Sequence, residues 1–107
     1  MKKQEQLSIN REIRIGMNNF NVVFCNTPDN KMPPKVRLNH CQAWTQGFEG
    51  FTVLWSYKTA VAVYDKYTDT LYDILRAVYG YTATSAQHIA KFRNRCNPAN
   101  VLVYREV

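Results

Sequence analysis

Three cysteines and two histidines are the side chains of this 107-residue chain best suited to nucleophilic chemistry. Cys25, Cys41 or Cys96 could attack and His40 or His88 could take the proton, since such catalysis needs a base within hydrogen-bond reach of the attacking atom. Their spacing carries no signature of it. There is no Gly-x-Ser-x-Gly elbow, and His40 and Cys41 are neighbours that a strand would point in opposite directions. Ser85 precedes His88 by one helical turn, but a serine at a helix start ordinarily serves as a cap or first-turn residue. An unrecognised hydrolase would have to bring a Cys or Ser to His40 or His88. Structural zinc sites use closely paired ligands. Cys25 and Cys41 lie 16 apart and His88 and Cys96 eight apart, so the three cysteines read as isolated buried thiols and no metal is expected. The four glycines, at 16, 47, 50 and 80, form no phosphate-cradling loop. The expectation is a chain without catalytic residues or cofactor.

Binding chemistry is better represented. The formal charge is +6, from 14 Lys and Arg against 8 Asp and Glu. Lys91, Arg93 and Arg95 form one basic cluster at the end of a predicted helix, and Lys31, Lys35 and Arg37 form a second in a Pro-containing stretch. With exposed Tyr or Trp, such cations suit phosphates and stacked bases. Two plainer explanations compete. Cations at a helix C-terminus complement its dipole, and Tyr or Trp beside Val and Ala at strand spacing commonly pack in a core. The charge is also shared evenly, with 7 basic and 4 acidic residues in 1–50 and the same in 51–107. Ten of the 14 aromatics lie between Trp44 and Tyr81. That is more than one small core is expected to bury, which leaves Trp44, Phe48, Tyr67, Tyr72 and Tyr79 as candidates for a protein interface or a homodimer contact. The candidate contact residues are Lys31, Lys35, Arg37, Trp44, Lys91, Arg93 and Arg95.

The elements that must position these residues follow from periodicity. Leu7, Ile9, Ile13 and Ile15 alternate, which predicts a strand. Gly16–Asn19 suits a reversal, and Phe20–Cys25 can pair back as a hairpin. Residues 26–50, with Pro28, Pro33, Pro34, Gly47 and Gly50, read as a long Pro-containing loop that is either functional or holds a short element around Val36–Trp44, and partial structure docked by Trp44 and Phe48 is the favoured reading. Phe51–Tyr64 is the strongest β signal, with Phe51, Val53, Trp55, Tyr57, Val61 and Val63 on one parity. Its length requires a bend near Ser56–Thr59. Leu71, Ile74, Leu75 and Val78 fit a helical stripe with Gly80 beyond its end, although Thr70–Ile74 also reads as a strand. Thr84 and Gln87 make a capping-box pattern for a helix over about 84–95, which Asn97-Pro98 ends. Val101–Tyr104 closes the chain as a strand.

Two segments resemble a family of small proteins encoded by phages, plasmids and other bacterial mobile elements. They are Ser56-Tyr57-Lys58-Thr59-Ala60-Val61-Ala62 and Tyr81-Thr82-Ala83-Thr84-Ser85-Ala86-Gln87-His88-Ile89. The family pattern is Ser-Tyr-x-Thr-x-Val-Ala, then Tyr-Ser-x-Thr-Thr-x-x-His-Ile with a Phe soon after. Tyr81, Thr84, His88, Ile89 and Phe92 match it, while Thr82 and Ser85 replace a Ser and a Thr. The resemblance covers about residues 51–94. It implies a strand over Leu71–Ile74, and a context in which small proteins bind and disable host defence machinery, anti-CRISPR proteins among them. The implied partner is a host nuclease or nucleoprotein in the bacterial cytoplasm.

Composition sets the frame. Apolar residues make up 46% of the chain, which fits one packed domain over 1–107 and excludes wholesale disorder. No apolar run is long enough to span a membrane, and Met1-Lys2-Lys3 leads into Gln4-Glu5-Gln6 and not into a secretory signal. The expected fold is α+β, a small and mostly antiparallel sheet with one main helix, about 84–95, packed on it. The expected function is non-enzymatic binding, with a small basic DNA- or RNA-binding module as the alternative.

Overall fold

A computed structural model describes residues 2–78 and 82–107. Six strands form one sheet in the order of the chain: β1 (Lys35–Arg37), β2 (Ala43–Phe48), β3 (Phe51–Ser56), β4 (Thr59–Asp65), β5 (Thr70–Asp73) and β6 (Asn100–Val103). Every pairing is antiparallel except β5–β6, which is parallel. The α+β expectation with a mostly antiparallel sheet is met. The connection from β5 to β6 carries a short helix α2 (Leu75–Val78) and the helix α3 (Ala83–Cys96). Tyr79, Gly80 and Tyr81, which include the expected helix end and the first residue of the second motif, lie outside the described residues.

Residues 3–25 are not a hairpin but a helix, α1 (Lys3–Cys25). Its buried residues, Gln6, Asn10, Ile13, Gly16 and Phe20, recur at three- and four-residue intervals. Leu7 and Ile15, half of the alternating set that suggested a strand, are exposed. The apolar pattern misleads here because two amides and a glycine occupy the helix's buried stripe.

The two helices cover opposite faces of the sheet. Ile89 and Phe92 of α3 pack with Leu38, Ala43, Leu54, Val61, Ala62 and Leu71. Ile13 and Phe20 of α1 pack with Phe48, Phe51, Val53, Val63 and Tyr72. Adjacent residues such as Val53 and Leu54 separate to the two sides, as the pleat requires. At β3–β4 the register steps between Leu54 and Trp55, so that Leu54 faces Ala62 while Trp55 faces Ala60. The bulged residue Val61 joins Ala62 on the α3 side. Val61 therefore does not share a face with Val53, as strict alternation predicted. The expected bend is a tight turn at Tyr57-Lys58, with Tyr57 at φ 56°.

Residues 26–50 are not one long loop. After a 3-10 turn, Asp29–Lys31, they hold both β1 and β2. The helical stripe read over 70–79 breaks up in the same way. Thr70–Asp73 is a strand, as the family resemblance implied, and Leu75–Val78 is a single helical turn. The cap of helix α3 lies two residues before the expected one: the Ser85 amide donates to Thr82 Oγ1 at 3.2 Å, and Thr84 is exposed. The helix ends at Asn97, in the left-handed region at φ 48°, immediately before Pro98.

Helix α1 also closes the free side of β6. Asn10 Nδ2 donates to the Arg105 carbonyl at 2.7 Å and its Oδ1 accepts the Arg105 amide at 3.4 Å, so one side chain does what a neighbouring strand would do. Gln6 Nε2 donates to the Val103 carbonyl at 3.0 Å. Replacing Asn10 with leucine, of similar volume, is expected to destabilise the protein by about 1–3 kcal/mol through the orphaned backbone groups. Urea denaturation checks this against the exposed neighbour Arg11→Leu, which is expected to be near neutral.

Candidate functional site

The hairpin β2–β3 turns at Glu49-Gly50, where Gly50 takes φ 78° and holds the register Trp44↔Trp55. Residues directly opposite in an antiparallel pair share a face. Trp44 and Trp55 therefore lie side by side, both half-buried, on the same face as Phe48 and Phe51. The C-terminal part of α1 reaches only the far end of these strands. There Phe20 meets Phe48 and Phe51 at ring distances of 5.7 and 5.8 Å, and Phe24 meets Phe48 at 5.6 Å.

Strand β1 brings cations to the tryptophan pair. Register places Lys35 opposite Gln46 and Arg37 opposite Trp44. Lys35 Nζ sits 4.1 Å from the centre of the Trp55 ring, and the Arg37 guanidinium lies 6.0 Å from that of Trp44. A hydrogen-bond chain fixes Trp55: its indole N–H donates to Gln46 Oε1 at 3.0 Å, and Gln46 Nε2 donates to the Pro33 carbonyl at 2.8 Å. Arg37 Nε donates to the Cys41 carbonyl at 2.9 Å. Trp44 has no such anchor among the described residues, so its indole N–H is available.

The sequence-derived candidates thus divide. Lys35, Arg37 and Trp44 come together, and Lys31 lies on the 3-10 turn just before β1. The three cations of α3 do not form one cluster: Lys91 and Arg95, four apart, share a side of the helix, and Arg93, two from each, points to another. Arg95 reaches toward the β1–β2 loop, with a guanidinium nitrogen 3.4 Å from Asn39 Oδ1. Arg93 lines a shallow cleft with Asp73, Asn94 and Val103 on the β5–β6 side. Lys91 is exposed on the Arg95 side, one turn nearer the helix start. Trp55 is the site residue missed by sequence reasoning, where it counted as core. The Glu49-Gly50 turn was the signal for it, since pairing outward from that turn sets Trp44 against Trp55.

A second cluster joins the two motifs of the family resemblance. Ser56 Oγ lies 2.8 Å from His88 Nδ1 and 2.9 Å from Ser85 Oγ. Tyr57, in the neighbouring turn, packs its ring 5.9 Å from the imidazole. A serine on a histidine is half of a nucleophilic dyad, yet Ser56 has no solvent-exposed surface and His88 is 3% exposed. Among the described residues no carboxylate hydrogen-bonds to His88. Burial, and then the Lys91 charge, lower the His88 pKa below 6.5. The arrangement pins the start of α3 to the end of the β3–β4 hairpin.

The cysteines are not all buried as expected: Cys25 is exposed, while Cys41 and Cys96 are half-buried. Cys41 Sγ lies 2.9 Å from the Leu38 carbonyl, and burial pushes the Cys96 thiol up to about 11. No three His, Cys, Asp or Glu side chains gather as a metal site among the described residues, and no described helix is long and apolar enough to cross a membrane. No family model, curated protein or solved structure matched the chain.

Proposed function

We propose that the chain is a non-enzymatic binding protein of a bacterial mobile element, and that it engages a host nuclease or nucleoprotein. Its contact surface is the corner formed by Lys35, Arg37, Trp44 and Trp55. One observation carries this reading: two half-buried tryptophans stand side by side under two cations, at the margin of the core that α1 builds on this face. Tryptophan and arginine are the residue types that dominate binding hot spots. The mobile-element origin and the class of partner come from the motif resemblance around Ser56 and His88. Ser56 supports the non-enzymatic reading, since a nucleophile without exposed surface has no route to a substrate.

Charge-matched variants test the proposal. Tagged wild-type protein, Lys35→Glu/Arg37→Glu and Arg11→Glu/Arg14→Glu are used to capture partners from bacterial extract. The α1 pair makes the same charge change on exposed residues away from the corner. Nucleases or nucleoproteins are expected in the wild-type and α1-variant captures and are expected to be lost with the β1 variant. Equal loss from both variants, or captures without such proteins, overturns the reading.

A further inference from the structure

We propose that the corner binds an unpaired nucleic-acid strand, with a base stacked on Trp44 and phosphates held by Lys31, Lys35, Arg37 and Arg95. This rests on the corner being the contact surface and names the component of a nucleoprotein that it touches.

Charge complementarity selects the occupant. From Asp29, which shares the 3-10 turn with Lys31, to Tyr64 the chain holds four cations, Lys31, Lys35, Arg37 and Lys58, against two acids, Asp29 and Glu49. Glu49 sits in the β2–β3 turn, at the opposite end of β2 from Trp44. Arg95 adds a further cation through its contact with Asn39, beside the same hairpin end. A polyanion therefore meets several cations here and no nearby carboxylate on β1, β2 or β3.

Aromatic chemistry narrows the polyanion. Trp55 is held by Gln46 and covered by Lys35, so it acts as a fixed floor. Trp44 beside it is half-exposed, keeps an unused indole N–H, and has the Arg37 guanidinium over its ring at 6.0 Å, which a base arriving there would displace toward its own phosphate. A base can lie on that ring only if it is not already stacked in a duplex. Lys35 and Arg37 project two residues apart along one edge strand, where a backbone threading past the stacked base would run. Duplex reading by α3 is less well supplied, because Lys91 and Arg93 point to different sides of the helix.

The two corner tryptophans are the only ones in the chain, so tryptophan fluorescence, excited selectively over the seven tyrosines, reports on this surface alone. The protein is titrated with short oligo-dT, oligo-rU, a DNA duplex and heparin. Quenching by both single strands is expected, with weaker binding of the duplex and no quenching by heparin. Raising salt from ~50 to ~200 mM should weaken oligo-dT binding by about 20–50-fold if three or four phosphates are neutralised. Trp44→Ala should weaken binding at least about fivefold, followed by anisotropy of a labelled oligo-dT and with circular dichroism confirming the fold. Lys35→Glu/Arg37→Glu should abolish it. Equal affinity for duplex, heparin binding that displaces oligo-dT without a Trp44 effect, or no binding at low salt each overturns the proposal. If oligonucleotides fail while Lys35 and Arg37 still govern capture from nuclease-treated extract, the corner remains a protein-binding surface. If that capture is also indifferent to them, the contact surface itself is wrong.

Discussion

Replacing Gly16 with alanine is expected to destabilise the protein by about 1–3 kcal/mol, the opposite sign from the usual effect of this change in a helix. At an exposed helical position alanine gains about 0.5–1 kcal/mol over glycine. Gly16 is the point where α1 presses against the sheet, and a Cβ there would overlap the Tyr72 ring. That ring has little freedom to retreat. Tyr72 is buried, and its hydroxyl donates to Asp65 Oδ2 at 3.2 Å. Asp65 is itself buried and accepts the Tyr67 amide at 2.9 Å. With Tyr72→Ala as background the same substitution should become neutral or stabilising, because the obstructing ring is gone. A double-mutant cycle in urea reads the coupling directly. Additive effects would show that α1 does not dock on β5 as described.

Ser56→Ala is expected to be more damaging still, at about 1–3 kcal/mol for each buried group left without a partner, since it orphans both His88 Nδ1 and Ser85 Oγ. The same cluster gives stability a pH dependence of defined sign. Burial, reinforced by Lys91, holds the native His88 pKa below its ordinary 6.5. Between that lowered value and 6.5 the unfolded chain binds a proton that the native protein does not. The contribution of His88 is therefore fully present above pH 6.5 and is lost as the pH falls through the native pKa. His88→Gln removes the titration while an amide oxygen can still accept from Ser56. Urea midpoints measured across this range should fall with pH in the wild type and flatten in His88→Gln. His40 is present in both proteins, so its influence cancels. A slope unchanged by the substitution would mean that His88 is not the buried titrating group.

The elements legible in the sequence are those whose buried residues are apolar and regularly spaced. The β3–β4 hairpin shows in Phe51–Tyr64, and α3 shows in Ile89 and Phe92 with its stop at Asn97-Pro98. Helix α1 is hidden because Gln6, Asn10 and Gly16 hold positions where a buried stripe would carry aliphatics. Its exposed Leu7 and Ile15 supply a false alternation. Strands β1 and β2 are hidden for a related reason. Lys35-Val36-Arg37 is an exposed edge, and Thr45-Gln46-Gly47 breaks the apolar pattern of its neighbour. At 70–79 one stripe merges two elements, since Leu71 belongs to a strand and Leu75 to the helical turn after it. The same limits govern the site. Lys35, Arg37 and Trp44 stand out by residue type, but their grouping depends on a strand register that type and spacing do not state. The approach of Ser56 to His88 spans 32 residues and depends on how α3 lies across the sheet.

The Asn10 side chain that stands in for a strand beside β6 has a consequence for how copies of this protein meet. An open sheet invites edge-to-edge pairing, the first step of strand-mediated aggregation. At one margin Gln6 and Asn10 occupy the carbonyls of Val103 and Arg105. At the other, β1 is only three residues long, carries two cations and follows Pro33-Pro34, which can donate no hydrogen bonds to an incoming strand. Both margins are blunted by different chemistry. Self-association, where it occurs, is left to the helical surfaces and the tryptophan corner, and concentrated stocks should resist forming extended β-polymers.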